Sequence, residues 1–348
     1  MRDHAPADHA PPDEVGLLAL ASRLMDGVGR GRPRALARLS GGKNNQVYRI
    51  DNDAGIPLIL KRYFRDPRDP RDRLGAEWGF IEHARLRGVR NIPEPLACDL
   101  EAGLGLYSFV PGRKLTAAEL APRHVDAAID FVVAVNRPPR AALAAGSEAC
   151  FSLADHVATV ERRVARLDAL DPELPDAAQA SRFVSEQLLP AWNAVKTRLV
   201  SDARAAGLAM AQALSADETC LSPSDFGFHN ALVDPSGALS FLDFEYAGRD
   251  DPAKLVSDFF CQPEVPVPMS YHAEFVARLA DGLHLGEPGR TRCRILLDVY
   301  RIKWTCIILN DFLPLGAARR AFADKGSLAA RCANQLTKAK ANIEGLPA

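Results

Sequence analysis

The sequence has no C-x-x-C pair, no long apolar run and no excess of charge of either sign. Its seven Cys residues are scattered and odd in number, which excludes a complete disulfide framework and reads as reduced, mostly buried thiols of a cytoplasmic protein. The longest apolar runs, such as Cys306 to Leu309, fall far short of the roughly 20 residues a membrane helix requires. Lys plus Arg total 43 against 44 Asp plus Glu, so nothing in the charge balance suggests a nucleic-acid partner. The first stretch, MRDHAPADHAPPDE, has several acids and no apolar segment after its Arg. It does not read as a secretory signal, and its Pro-rich polar composition predicts a disordered tail. No G-x-x-x-x-G-K-[ST] loop occurs, which excludes a P-loop nucleotide site. What remains is a 348-residue chain of ordinary apolar content, long enough for two lobes.

The most informative stretch is Leu221 to Glu245, LSPSDFGFHNALVDPSGALSFLDFE. It reads as strand, loop, strand, hairpin turn, strand and second loop. Pro235-Ser236-Gly237 separates two apolar runs, a turn signal that folds the chain back and brings Asp243 beside the loop holding Asp225 and Asn230. Two carboxylates and an amide oxygen facing one point suit a hard cation, Mg²⁺ above all. A carboxylate left over could orient a hydroxyl and take its proton. Taken alone, these residues also fit a β-hairpin with ordinary turn aspartates.

Upstream the pattern is β-rich. Residues 35–39, 46–51 and 57–63 read as strands, with Ser40-Gly41-Gly42-Lys43-Asn44-Asn45 as the first turn between them. Glycines there let backbone N–H groups approach a phosphate. Lys61 ends the run Leu58-Ile59-Leu60, by itself the habit of a strand-end lysine with its head in water. A helix over 14–25 precedes these strands. Another follows over 74–87 and carries Glu77, by itself a surface acid in a first turn. Residues 95–99 and 104–110 read as two more strands, and Pro111-Gly112 ends the β pattern. Helices are predicted over 116–135, 152–170, 177–206, 270–283, 290–313 and 327–343, with Pro190 kinking the third. Arg294, Arg301, Lys303 and Trp304 share the helix over 290–313; alone they read as a solvated basic face.

The Asp225, Asn230 and Asp243 spacing resembles the catalytic segment of the aminoglycoside phosphotransferase and choline kinase families, relatives of the protein kinases. In their His-x-Asp-(x4)-Asn loop, Asp225 matches the base and Asn230 a metal ligand, and Asp243 matches the second ligand. Pro223 stands where these families usually have a loop-organising His. Gly41, Gly42, Asn45 and Tyr48 match their Gly-Gly-x-x-Asn-x-x-Tyr nucleotide loop. The order of parts matches too, from glycine turn through lysine, helix Glu and Pro-Gly hinge to the catalytic loop.

The resemblance implies an α+β, bilobal protein-kinase-like fold. After an N-terminal tail and helix (1–33), a small lobe (34–110) holds a five-stranded antiparallel sheet and one helix. A larger, mainly helical lobe (111–348) carries the catalytic hairpin, with ATP in the cleft. The implied function is transfer of the γ-phosphate of ATP to a hydroxyl of a small metabolite, a sugar or amino sugar first. Asp225 would act as base and Asn230 and Asp243 would hold Mg²⁺. Lys61, set by Glu77, would clamp the phosphates under Gly41, Gly42, Lys43 and Asn45. Backbone at Ser108, Phe109 and Val110 would meet the adenine. Asp258 matches a helix Asp that supports the loop. His229, Glu245, Arg301 and Trp304 are candidates for the acceptor site, Arg301 suiting an anionic one. The competing reading is a nucleotide-binding pseudokinase or adaptor with a catalytic loop relaxed at Pro223.

Overall fold

The computed structural model describes residues 14–39, 45–66, 69, 71–314 and 327–346. The first elements are α1 (Glu14–Asp26), β1 (Pro33–Leu39), β2 (Gln46–Asn52) and β3 (Leu58–Arg62), followed by α2 (Arg73–Leu86), β4 (Pro95–Asp99) and β5 (Leu104–Ser108). The five strands form one antiparallel sheet in the order β1-β2-β3-β5-β4. Leu17, Ala21 and Met25 recur every four residues along α1, which places them on one helix face. That face packs on Ile50, Leu58, Leu60, Leu104 and Leu106. Strand side chains alternate between faces, so Lys61, one residue after Leu60, starts from the opposite side of the sheet. Its register partners there are Val47 and Gly105.

The chain divides into two compact units, one made of residues up to 74 and 93–110, the other of 75–92 and 111–348. The sequence division at 34–110 groups α2 with the sheet; its packing places residues 75–92 with the larger unit instead. The physical reason is the inner face of α2. Phe80 meets Phe131 and Phe244, with centroids 6.5 and 4.8 Å away, and His83 Nε2 reaches the Val135 carbonyl at 2.8 Å.

The larger unit continues with β6 (Arg113–Lys114), α3 (Pro122–Val135), α4 (Leu153–Ala165), α5 (Ala177–Phe183) and α6 (Leu189–Ala205). Short strands β7 (Cys220–Ser222), β8 (Ala231–Val233), β9 (Leu239–Phe241) and β10 (Gly248–Asp250) come next. Helices α7 (Pro252–Cys261), α8 (His272–Gly282), α9 (Glu287–Ile295), α10 (Leu297–Ile308) and α11 (Leu328–Ile343) complete it. The strands pair as β6-β8-β9 and β10-β7. Phe131, Phe226, Phe241, Phe259 and Phe275 form a chain of ring contacts with centroids 4.6–5.7 Å apart.

Three helices predicted as single spans are interrupted, the second of them at the kink expected from Pro190. The 116–135 segment is a 3₁₀ turn, Ala117–Glu119, followed by α3, because Pro122 suits a first helical turn rather than an interior. Glu119 accepts from both the Thr116 N–H and hydroxyl. The 177–206 segment passes through a π turn, Val184–Leu188. Pro190 has no N–H for the Glu186 carbonyl four residues back, so the ladder widens there. The 290–313 helix starts earlier, at Glu287, and breaks at Leu296 into α9 and α10.

Candidate active site

The loop between β7 and β8 holds both buried and half-buried residues. Phe226 and Phe228 are buried in the aromatic chain, while Asp225, His229 and Asn230 are partly exposed. The two rings anchor the loop and leave the polar side chains on its open side. Asn230 Nδ2 donates to the Asp225 carbonyl at 2.9 Å, closing the loop on itself. The Leu242 N–H donates to the Asn230 carbonyl at 2.8 Å, which seats Asp243 next to that loop. The hairpin that makes this possible turns at Asp234, whose Oδ1 accepts from the Ser236 and Ala238 N–H groups, with Gly237 at φ +89°. The structure thus brings Asp225, Asn230 and Asp243 together.

Other groups complete the environment. His229 Nε2 lies 3.2 Å from Asp225 Oδ1. Lys114 donates its ammonium to the His229 carbonyl. Much of the Lys114 stem is exposed, but desolvation of its charged end lowers its pKa, against the opposing pull of the Asp243 charge. Glu77 is buried, and its Oε1 accepts the Phe244 N–H at 3.4 Å, which ties α2 to the Asp243 loop. Glu245 is also buried. Sequence reasoning missed Lys114. No local signal marks it, because it reaches the site only through the two-residue pairing of β6 with β8.

Beneath the loop lies a buried ionic network. Ser224, next to Asp225, accepts from Lys254 Nζ at 3.2 Å. Lys254 pairs with Asp250 at 2.8 Å and Asp258 at 3.5 Å. Lys303 donates to both Asp258 oxygens, at 2.8 and 3.0 Å, and Trp304 Nε1 to Oδ1 at 2.8 Å. Asp258 therefore sits in a supporting position. Trp304 is engaged in that network rather than presented as a wall. Arg301 spends its guanidinium on the Asn342 and Glu344 carbonyls at the end of α11. The expected role of Arg301 toward an anionic acceptor finds no support in this placement.

In the smaller unit Lys61 is buried, with its Nζ 5.8 Å from the centroid of the Tyr63 ring. Asn45 is buried and accepts the Phe64 N–H at 3.2 Å. The Ser108 N–H is taken by the Glu94 carbonyl, and Ser108 Oγ accepts the Glu94 N–H, so its polar groups pin β5 to the start of β4. Phe109 carries the Arg49 guanidinium 5.2 Å over its ring. Phe109 and Val110 lie beyond the paired part of β5. Gly41, Gly42 and Lys43 lie outside the described residues.

The donor set fits Mg²⁺. Because Asn230 Nδ2 is directed at the Asp225 carbonyl, its Oδ1 is left as a neutral oxygen donor near the Asp243 loop. Among the described residues no three His, Cys, Asp or Glu side chains form a self-sufficient metal cage. Mg²⁺ does not need one, since it is held by one or two carboxylates together with substrate phosphates and water.

The profile of the Phosphotransferase enzyme family matches residues 35–296. No curated protein matches the chain. Among solved structures, a choline kinase from Cryptosporidium parvum Iowa II is 12% identical, covers 95% of this chain and 97% of its own, and superposes with a TM-score of 0.58. A Plasmodium vivax ethanolamine kinase is 11% identical over 96% of this chain and 89% of its own, with a TM-score of 0.59. A spectinomycin phosphotransferase in complex with ADP and spectinomycin is 14% identical over 95% and 94%, with a TM-score of 0.57. The fold is the bilobal, kinase-like one of these neighbours. The chain belongs to the phosphotransferase enzyme family. It is a phosphotransferase by that membership. No helix among the described residues is long and apolar enough to cross a membrane.

Proposed function

We propose that this chain phosphorylates a hydroxyl of a small metabolite of the sugar or amino-sugar class, using Mg²⁺ and ATP in a cytoplasmic setting. The observation that carries the reading is the closed loop in which Asn230 holds Asp225 while Leu242 seats Asp243 beside both. Asp225 orients the acceptor hydroxyl. The hydroxyl oxygen bonds to the γ-phosphorus, the bond to the β,γ-bridging oxygen breaks, ADP leaves, and the hydroxyl proton passes to the Asp225 carboxylate. Asn230 and Asp243 are the residues to hold Mg²⁺, which when bound supplies positive charge to the phosphates. Lys61 is assigned to the α- and β-phosphates, with Gly41, Gly42, Lys43 and Asn45 as cover and Phe109 and Val110 toward the base. Glu77, already bonded to the Phe244 amide, positions the Asp243 loop.

The acceptor class follows from charge. The basic groups that favoured an anionic acceptor are spent on partners: Arg301 on carbonyls, Lys303 on Asp258 and Arg294 on Glu287. Two of the site candidates, Asp225 and Glu245, carry carboxyl side chains, which suits a neutral or amine-bearing alcohol. The similar structures include kinases named for choline and ethanolamine and one holding spectinomycin.

The test is phosphomonoester formation by purified protein with Mg²⁺-ATP over sugars, amino sugars, choline and ethanolamine. Phosphate should appear on an amine-bearing or neutral alcohol, and Asp225→Asn should lower kcat by about 10²–10⁴-fold. A protein that binds ATP yet phosphorylates no acceptor would be an adaptor, and wild-type kcat in Asp225→Asn would remove Asp225 from the mechanism.

A further inference from the structure

We infer that His229 is a positioning residue for the catalytic base, holding one oxygen of Asp225 so that the other faces the acceptor. The inference rests on the reading of Asp225 as base.

An ionised carboxylate can only accept hydrogen bonds, so the His229 nitrogen facing it, Nε2, is the one that donates. The contact is 3.2 Å long and runs to Oδ1. The other ring nitrogen, Nδ1, is buried with no hydrogen-bond partner among the described residues. The bond to Asp225 is therefore the polar tether of this imidazole, and simple polar satisfaction does not explain the ring's placement.

The loop makes room for that placement. Gly227 has φ 170°, extended backbone that any residue adopts, so backbone conformation does not demand glycine there. Space does. A Cβ at 227 would lie 2.7 Å from His229 Nδ1 and 3.1 Å from Gln262 Cγ. Glycine at 227 is what lets the imidazole lie back against the loop and reach the carboxylate four residues before it.

Both ends of the contact are fixed as well. Lys114 holds the His229 carbonyl, and Asn230 holds the Asp225 carbonyl. Two positions before Asp225 stands Pro223, which has no N–H and no polar side chain to offer the carboxylate. Support from His229, on the C-terminal side, compensates for that. A tethered carboxylate presents its second oxygen in one direction, and orientation of a base toward its substrate is a direct contribution to rate.

The experiment compares His229→Ala, His229→Gln, Asp225→Asn and the double variant Asp225→Asn/His229→Ala. The readout is Mg²⁺-ATP hydrolysis, with water standing in as the hydroxyl acceptor. His229→Ala should lower kcat roughly 10- to 100-fold, the range expected for a hydrogen bond to a charged group, and leave KM for ATP unchanged. His229→Gln, whose amide can donate to the same oxygen, should recover part of the loss. In the Asp225→Asn background His229→Ala should cost nothing further, because the two act as one unit. Wild-type kcat in folded His229→Ala overturns the inference, and so do losses that multiply in the double variant. If His229→Ala does not fold, Gly227→Ala displaces the ring without removing it and should lower kcat similarly; wild-type kcat there overturns the inference. Wild-type kcat in Asp225→Asn defeats the underlying base assignment instead.

Discussion

Asp243 adopts φ +67°, the left-handed region that a residue with a Cβ enters at a cost. Such a conformation persists only where its surroundings hold it, here the Leu242 and Phe244 amides bonded on either side. The backbone conformation fixes where the Asp243 side chain leaves the loop, which bears on its proposed role as a metal ligand. Asp243→Ala should abolish turnover at any Mg²⁺ concentration while leaving the fold intact, with roughly 1–2 kcal/mol of destabilisation from the left-handed site. Asp243→Asn, which tolerates that region better, should lose turnover with less destabilisation. A magnesium titration of ATP turnover decides the matter: undiminished activity at saturating Mg²⁺ in either variant withdraws the ligand assignment. At this scale Asp225, Asn230 and Asp243 were legible in the sequence because one short hairpin brings them together. Lys114 was not, since a pairing between residues more than a hundred positions apart leaves no local pattern. The His229–Asp225 contact was hidden for a different reason: it depends on the missing side chain at Gly227, and an absence of bulk does not announce which ring fills it.

Helix α7 is buried along its whole length although it carries Lys254 and Asp258. Buried charges persist when paired, and removing one partner strands the others. Asp258→Ala would leave Lys303, Lys254 and the Trp304 N–H short of their shared acceptor. We expect a loss of about 3–5 kcal/mol in urea unfolding. A change within ~0.5 kcal/mol, as at a surface site, would mean the network contributes nothing to stability. The elements themselves were largely readable. Alternation marked β2, short apolar runs between turn signals marked the other strands of the sheet, and apolar periodicity marked most of the helices. Pro190 announced its kink, but the breaks at Pro122 and Leu296 were less readable, because periodicity continues across a short interruption. The pairing of β10 with β7 escaped notice for a further reason: three-residue strands are too short to show a period.

For the molecule as a whole, buried histidines set the pH dependence of folding. Burial lowers the pKa of His83, His124 and His272, with Arg87 and Arg123 adding to it at the first two. Their contribution is present above the unfolded value of 6.5 and lost as pH falls. His156 goes the other way. Burial alone would lower it, but its interactions with Cys150 and with the Asp251 carboxylate raise it to about 10. Its contribution is full below 6.5 and lost as pH rises toward 10. Stability should therefore peak between about pH 6 and 7. Thermal melts from pH 5 to 10 should show a maximum there, and His156→Gln should flatten the alkaline side. A wild-type Tm that stays level from pH 7 to 10 would contradict this. The division of the chain has its own consequence. The backbone passes from one compact unit to the other after residues 74, 92 and 110, so the smaller unit is not a cassette. A fragment ending at residue 110 would carry α2 away from Phe131, Val135 and Phe244 and leave Phe80 without its partners. A transplant of the smaller unit between relatives must therefore move two separate pieces of gene and leave the helix between them with its original host.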